Sequence, residues 1–215
     1  MLTMKSSHLK ELPREEVLNV LTHGFGLVLF LIGVPLLYLK SLVGDWMVAD
    51  LIGVSAFGIG LIMVYTTSTG YHYFRDLKKV KWRILDHIAI YFLIGGSYTA
   101  YILKYYNVPD GVNLLLIQWS IIGIGTILKL YYTGRFNLLS TTLYVALGWM
   151  VVPIQGPFTH VVPDHVMAWI IAGGVSYSVG VVFYLMDRYR YSHTIWHVFV
   201  LGGSLCHFLG LYLGE

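Results

Sequence analysis

The chain has 215 residues, of which 57% are hydrophobic and 12% charged, and its mean hydropathy is +0.69. A water-soluble domain carries roughly 25% charged residues, so this composition excludes an ordinary soluble globule and points to a single integral membrane domain. A net charge of +3 without a basic, aromatic-interleaved block excludes a nucleic-acid partner, and a lone cysteine, Cys206, excludes an internal disulfide framework.

Residues 1–16 (MLTMKSSHLKELPREE) form a polar segment without the charged-apolar-small order of a signal peptide. Pro13 followed by Glu15 and Glu16 reads as a helix start, with the carboxylates near the positive end of the helix dipole. The first apolar run is therefore expected to stay as a membrane anchor, and residues 17–215 to form the transmembrane domain. A spanning helix needs about 20 mostly apolar residues. Seven runs qualify: Val17–Lys40, Trp46–Ser68, Leu85–Lys104, Val112–Tyr131, Leu138–Gln155, His165–Tyr184 and Thr194–Leu213. They are continuous rather than alternating in polarity, which argues against a β-barrel. The expected fold is an all-α, seven-transmembrane helix bundle. The punctuation between runs is Gly44-Asp45, the basic stretch Arg75–Arg83, Pro109-Asp110-Gly111, Gly134-Arg135, the Pro153–Pro163 loop and Asp187–Ser192.

Lys and Arg set the orientation. The side shared by the N-terminus and the linkers after spans two, four and six holds Lys5, Lys10, Arg14, Arg75, Lys78, Lys79, Lys81, Arg83, Lys129, Arg135, Arg188 and Arg190; the other holds only Lys40 and Lys104. The positive side faces the cytoplasm, which puts the N-terminus inside and the C-terminus outside. Most of the 23 glycines fall inside the runs, where small residues let helices approach closely. Gly210-x3-Gly214 is read as an intramolecular packing motif, and Cys206, deep in the last run, as a buried small hydrophobe.

Counting spans brings distant residues to one depth. Ser68 and His72 close the second run, Asp86 opens the third, and His193 and His197 open the seventh, all at the cytoplasmic side. Residues four apart share a helix face, so His193 and His197 can chelate one ion from adjacent turns, and Ser68 and His72 project together. Three neutral imidazoles leave a zinc ion its charge and an open fourth position, as in catalytic zinc sites, where bound water titrates near about 7. Asp86 is placed to take a proton or to orient an imidazole, and Ser68 to hydrogen-bond a substrate oxygen or Asp86. Separately, each has a plainer reading: Ser68 bonded to its own helix, Asp86 neutralising Arg83 or capping the third helix. His23, with Asn19 one turn before it, is a candidate supporting contact. His87 lies about 100° from Asp86 on its helix, and His207 is roughly 15 Å deeper than His197, a hydrogen-bonded core residue. His160 and His165 fall on the outer side.

The set Ser-x3-His, Asp, His-x3-His, in that span order, resembles the progestin and adipoQ receptor family, and more closely its bacterial hemolysin III branch. The likeness is carried by Glu16–Gly26 (EVLNVLTHGFG), Ser68–Tyr73 (STGYHY), Trp82–Thr99 (WRILDHIAIYFLIGGSYT) and His193–Gly203 (HTIWHVFVLGG), and runs from about Glu15 onward. The resemblance implies a seven-helix bundle with zinc on His72, His193 and His197, and with Ser68 and Asp86 beside the metal-bound water. It implies kinship with membrane zinc hydrolases that include alkaline ceramidases. The eukaryotic receptors carry a long N-terminal region that precedes no such match here, so a hormone-receptor role is not expected. The expected activity is hydrolysis of a lipid amide or ester, with a membrane lipid or fatty-acid-containing ligand as partner, in a bacterial inner membrane. The alternative is a non-catalytic sensor of membrane lipid state in which zinc is structural. A secreted cytolysin is disfavoured because seven permanent apolar helices have no soluble form, and a transporter because no acidic path crosses the membrane. Substrate and oligomeric state are left open.

Overall fold

The computed structural model describes residues 12–41, 44–152, 155–186 and 188–214, so most of the polar segment 1–16, with Lys5 and Lys10, lies outside the described residues. All regular structure among them is helical: α1 (Arg14–Ser41), α2 (Val48–Tyr73), α3 (Asp76–Tyr105), α4 (Pro109–Tyr132), α5 (Asn137–Gly148), α6 (Gln155–Val161), α7 (Asp164–Leu185) and α8 (Ser192–Tyr212). Five of these, α1, α2, α4, α7 and α8, are long and apolar enough to cross a membrane. Large apolar side chains such as Phe25, Ile32, Ile59, Leu116, Ile124 and Val182 face outward. A soluble monomer does not expose apolar surface on this scale, and the chain is a multi-pass integral membrane protein.

The two ends of the bundle are distinguishable by their contacts. At one end, Asn19 and Thr22 of α1 meet His72 of α2 and His197 of α8. At the other, the Lys40 ammonium of α1 donates to the Tyr212 carbonyl of α8, Tyr105 of α3 donates to the Gly214 carbonyl, and Lys104 lies 3.9 Å from the centre of the Trp46 ring. This is the alternation that an odd number of crossings demands.

α2 and α3 form an antiparallel hairpin closed by Phe74 and Arg75. Their seam is made of glycines. A methyl group on Gly53 would stand 2.7 Å from the Ala100 Cα, one on Gly60 2.7 Å from the Phe92 carbonyl oxygen, and one on Gly96 against the Ala56 carbonyl. In lipid such close backbone approach supplies the van der Waals contact that water-driven burial supplies elsewhere. Phe30, Leu37, Phe57, Leu61 and Tyr65 fill the core where α1 packs on this hairpin. Gly210 and Gly214 sit under the Tyr101 and Tyr105 hydroxyls, so that motif packs within the chain as expected.

Several boundaries differ from those expected; α2 runs on to Tyr73, and α4 starts at Pro109, within the expected Pro109-Asp110-Gly111 linker. The basic stretch Arg75–Arg83 is not a linker: α3 begins at Asp76, because Lys and Arg are good helix formers whose stems lie along apolar surface while their heads reach water. Asp86 is therefore ten residues into α3 and does not cap it. The fifth run is not one helix. α5 has 12 residues, about 18 Å at 1.5 Å per residue, too short for a hydrocarbon layer of about 30 Å. The crossing is completed by the turn at Trp149–Val152 and by α6, which lies within the expected Pro153–Pro163 loop; Phe158 of α6 packs on Tyr106, at the end of α3 remote from the histidines. Broken backbone at membrane depth needs internal partners. Tyr98 provides them, donating to the Gly148 carbonyl at 2.8 Å and accepting from the Val151 N–H at 3.0 Å. Gln118 donates to the Leu147 carbonyl at 3.3 Å. Cys206, expected buried, is half-buried and free.

Candidate metal centre

The site is assembled from four helices. On α1, Glu16, Asn19 and His23 are three and four residues apart and share one face. On α2, Ser68 and His72 occupy the last turns; on α3, Asp86 lies where the helix enters the bundle; on α8, His193 and His197 occupy the first two turns. The start of α8 is fixed by Tyr191, in the left-handed region at φ 66°, whose N–H donates to the Glu15 carboxylate at 3.0 Å. Thr194 donates to the Asn19 amide oxygen at 2.6 Å and ties the same turn to α1.

The ligand nitrogens of His72, His193 and His197 all lie within 4.8 Å of one another, and the ring centroids are 5.0, 4.9 and 4.8 Å apart. Tetrahedral coordination with bonds of about 2.0–2.1 Å sets ligand nitrogens about 3.4 Å apart, so the three could hold one cation after closing by up to an ångström or so. The hydrogen bonds around the rings select the matching tautomers. His72 Nδ1 is 2.6 Å from Glu16 Oε2 and donates to it, which leaves Nε2 as the lone-pair nitrogen. That Nε2 is buried with no hydrogen-bond partner among the described residues, the state of an imidazole shaped for a cation. Lys79 donates to the other Glu16 oxygen at 2.6 Å, so lysine, carboxylate and imidazole form one chain of charge-assisted bonds. Such carboxylate–histidine pairs fix ring orientation and raise ligand basicity. The Thr22 hydroxyl donates to the Leu18 carbonyl at 2.9 Å, so its oxygen accepts from His197 Nδ1 at 3.2 Å and frees Nε2 of that ring too.

His193 and His197 line a cavity of about 140 Å³ together with Ser68, Asp86 and Arg83. Ser68 hydrogen-bonds Asp86, and His193 and Arg83 are the charged or chargeable neighbours of that carboxylate. Thus the five residues singled out in the sequence meet at one end of the bundle, with His72 behind the cavity wall. His23 also lines the cavity; it stacks on His197 with centroids 3.6 Å apart and meets the Tyr65 ring edge-on at 5.1 Å. Its support is a ring contact rather than a hydrogen bond. His207 lies apart, with Nε2 3.2 Å from the Ile170 carbonyl, and His160 and His165 are exposed on helices α6 and α7.

By sequence alone, Glu16 has a place near the helix dipole and in the Glu16–Gly26 stretch, and Lys79 a place among the inside-positive charges, but no contact with the histidines is assigned to Glu16, Thr22 or Lys79. The Glu-x2-Asn-x3-His spacing of α1, which stacks three polar side chains on one face of an apolar helix, is a signal that marks Glu16; Thr22 and Lys79 carry none of their own.

The sequence model of the family described as haemolysin-III related matches residues 13–208. Hemolysin-3 of Bacillus cereus is 34% identical over 208 residues, covering 96% of this chain and 94% of that protein. The Hemolysin-3 homolog of Bacillus subtilis (strain 168) is 36% identical over 199 residues, covering 91% and 92%. The human monocyte to macrophage differentiation factor is 26% identical over 207 residues, covering 92% and 83%. With four helices converging on three histidines and a match along nearly its whole length, the chain belongs to the haemolysin-III related family.

Proposed function

We propose that this chain is a zinc-dependent hydrolase of a bacterial inner membrane, cleaving an amide or ester bond of a lipid at the cytoplasmic end of the bundle. The observation that carries the reading is that the polar cavity adjoins apolar space. Ile90, Tyr144, Trp196 and Val200 line both the polar cavity and a cavity of about 100 Å³. Tyr98, Trp149 and His207 line that one and a third of about 240 Å³. A head with polar groups and a long aliphatic tail of space suit a lipid whose scissile carbonyl lies by the histidines and whose acyl chain runs up the bundle.

Zinc, when bound by His72, His193 and His197, supplies Lewis acidity toward a carbonyl and a water of depressed pKa. Glu16, backed by Lys79, holds His72 Nδ1 protonated, and the Thr22 oxygen does the same for His197. The Asp86 carboxylate takes the proton from the attacking water. As the carbonyl C–N or C–O bond breaks, Asp86 returns that proton to the departing amine or alcohol. The Ser68 hydroxyl, bonded to Asp86 at rest, donates to the oxygen that gains negative charge. Release of fatty acid from labelled N-acyl and O-acyl lipids by purified protein tests this. Activity should vanish in Asp86→Asn with metal content unchanged; a zinc-loaded protein that cleaves neither class contradicts it.

A second reading, a non-catalytic lipid sensor with a structural metal, is favoured by the depth of His72 and His197, 3% and 1% exposed. It predicts that chelation lowers the melting temperature while Asp86→Asn has no effect in cells. The cytolytic name of the relatives fits this chain less well, because its apolar helices leave no water-soluble form.

A further inference from the structure

Lys129 is in the last turn of α4 but only 4% exposed. Among the described residues no carboxylate pairs with it. Its Nζ donates to His87 Nδ1 at 3.3 Å and lies 6.0 Å from the centre of the Tyr144 ring. The charged side chain acting on it is Arg83, another cation. An imidazole accepts a hydrogen bond without neutralising an ammonium, and a buried, uncompensated charge is expensive. Among the described residues, the carboxylate acting on Arg83 is Asp86, which already accepts from Ser68. Two cations so placed attract an anion.

The place for it is also defined. Arg83, His87 and Asn137 line the polar cavity along with the α8 histidines. With Nδ1 engaged by Lys129, His87 has Nε2–H left to offer a ligand, and the planar Arg83 fork matches a carboxylate or phosphate. Lys129 does not itself line that cavity; it lies behind the His87 ring and floors a separate groove with Leu128, Leu139 and Leu143. The apolar cavity that shares Ile90, Tyr144 and Trp196 with the polar one makes the ligand an amphiphile rather than a free ion.

We propose that Arg83 and His87 form an oxyanion subsite, with Lys129 behind the His87 ring fixing its tautomer and adding positive charge, that selects lipids carrying a phosphate or carboxylate group. The proposal rests on reading the cavity as a lipid site, and binding rather than turnover tests it. Full-length protein in neutral detergent is titrated with dodecyl phosphate, laurate, uncharged dodecanol and inorganic phosphate, followed by tryptophan fluorescence and melting temperature. Dodecyl phosphate or laurate should bind at least about tenfold tighter than dodecanol, and tighter than inorganic phosphate. Lys129→Met should abolish that preference and, having removed a buried lone cation, melt higher than wild type without ligand. Lys129→Arg should keep the preference. If Lys129→Met does not fold, His87→Phe should abolish the preference in its place. Equal binding of dodecanol, an unchanged preference in Lys129→Met or His87→Phe, or inorganic phosphate binding as tightly as its dodecyl ester overturns the proposal. Selective binding without any lipid cleavage retains the subsite and removes only the hydrolytic reading.

Discussion

The α2–α3 seam and the α5 flank both adjoin α3 and are built on opposite terms. At the seam, Gly53, Gly60 and Gly96 bring backbone against backbone, and added carbon has nowhere to go. At the flank, Gly148 and Trp149 border two of the apolar cavities, and a methyl group on Gly148 would meet nothing within 4 Å. One glycine set excludes volume and the other leaves it. The tight side holds His72 and Asp86 in place, and the loose side gives a long ligand room to lie against them.

The largest expected effect is at the seam. Gly96→Ala should destabilise by about 1–3 kcal/mol or more, because the atom it meets is the Ala56 carbonyl and not a flexible side chain; a detergent melting curve indistinguishable from wild type would break the contrast. Tyr98→Phe comes next. It strips partners from the Gly148 carbonyl and the Val151 N–H and should lower stability by about 1–3 kcal/mol, since buried backbone groups would be left unsatisfied. Glu16→Gln should weaken zinc binding by about 10–100-fold, measured by competition with a chromophoric chelator, with little change in the seam. The smallest effect belongs to the flank: Gly148→Ala should leave stability the same or raise it by about 0.4–1 kcal/mol. Gly148→Leu sharpens the comparison further. It should fold and bind metal normally while shortening the acyl chain that is accepted, read from cleavage of lipids of graded chain length.

The gross fold was legible because long apolar runs have few physical solutions, and the histidine set because parity of crossings brings span ends together. The break in the fifth crossing was not, since hydropathy registers side chains and is blind to whether Tyr98 can satisfy an interrupted backbone. The start of α3 was hidden for a related reason: Lys78, Lys79, Lys81 and Arg83 look like a linker to a hydropathy window but favour helix by propensity. Glu16 stood in plain view with a sufficient local explanation, the helix dipole, which concealed its bond to His72. Lys129 likewise passed as an inside-positive charge; only burial distinguishes it from Arg135 in the next turn, which is exposed.

Zinc analysis of purified wild type beside His193→Ala tests the central claim most directly. Convergence of His72, His193 and His197 on one cation predicts one zinc per chain in wild type and a small fraction of that in a variant that still melts cooperatively. Metal-free wild type after purification with zinc present, or a variant that keeps its full zinc complement, would contradict it.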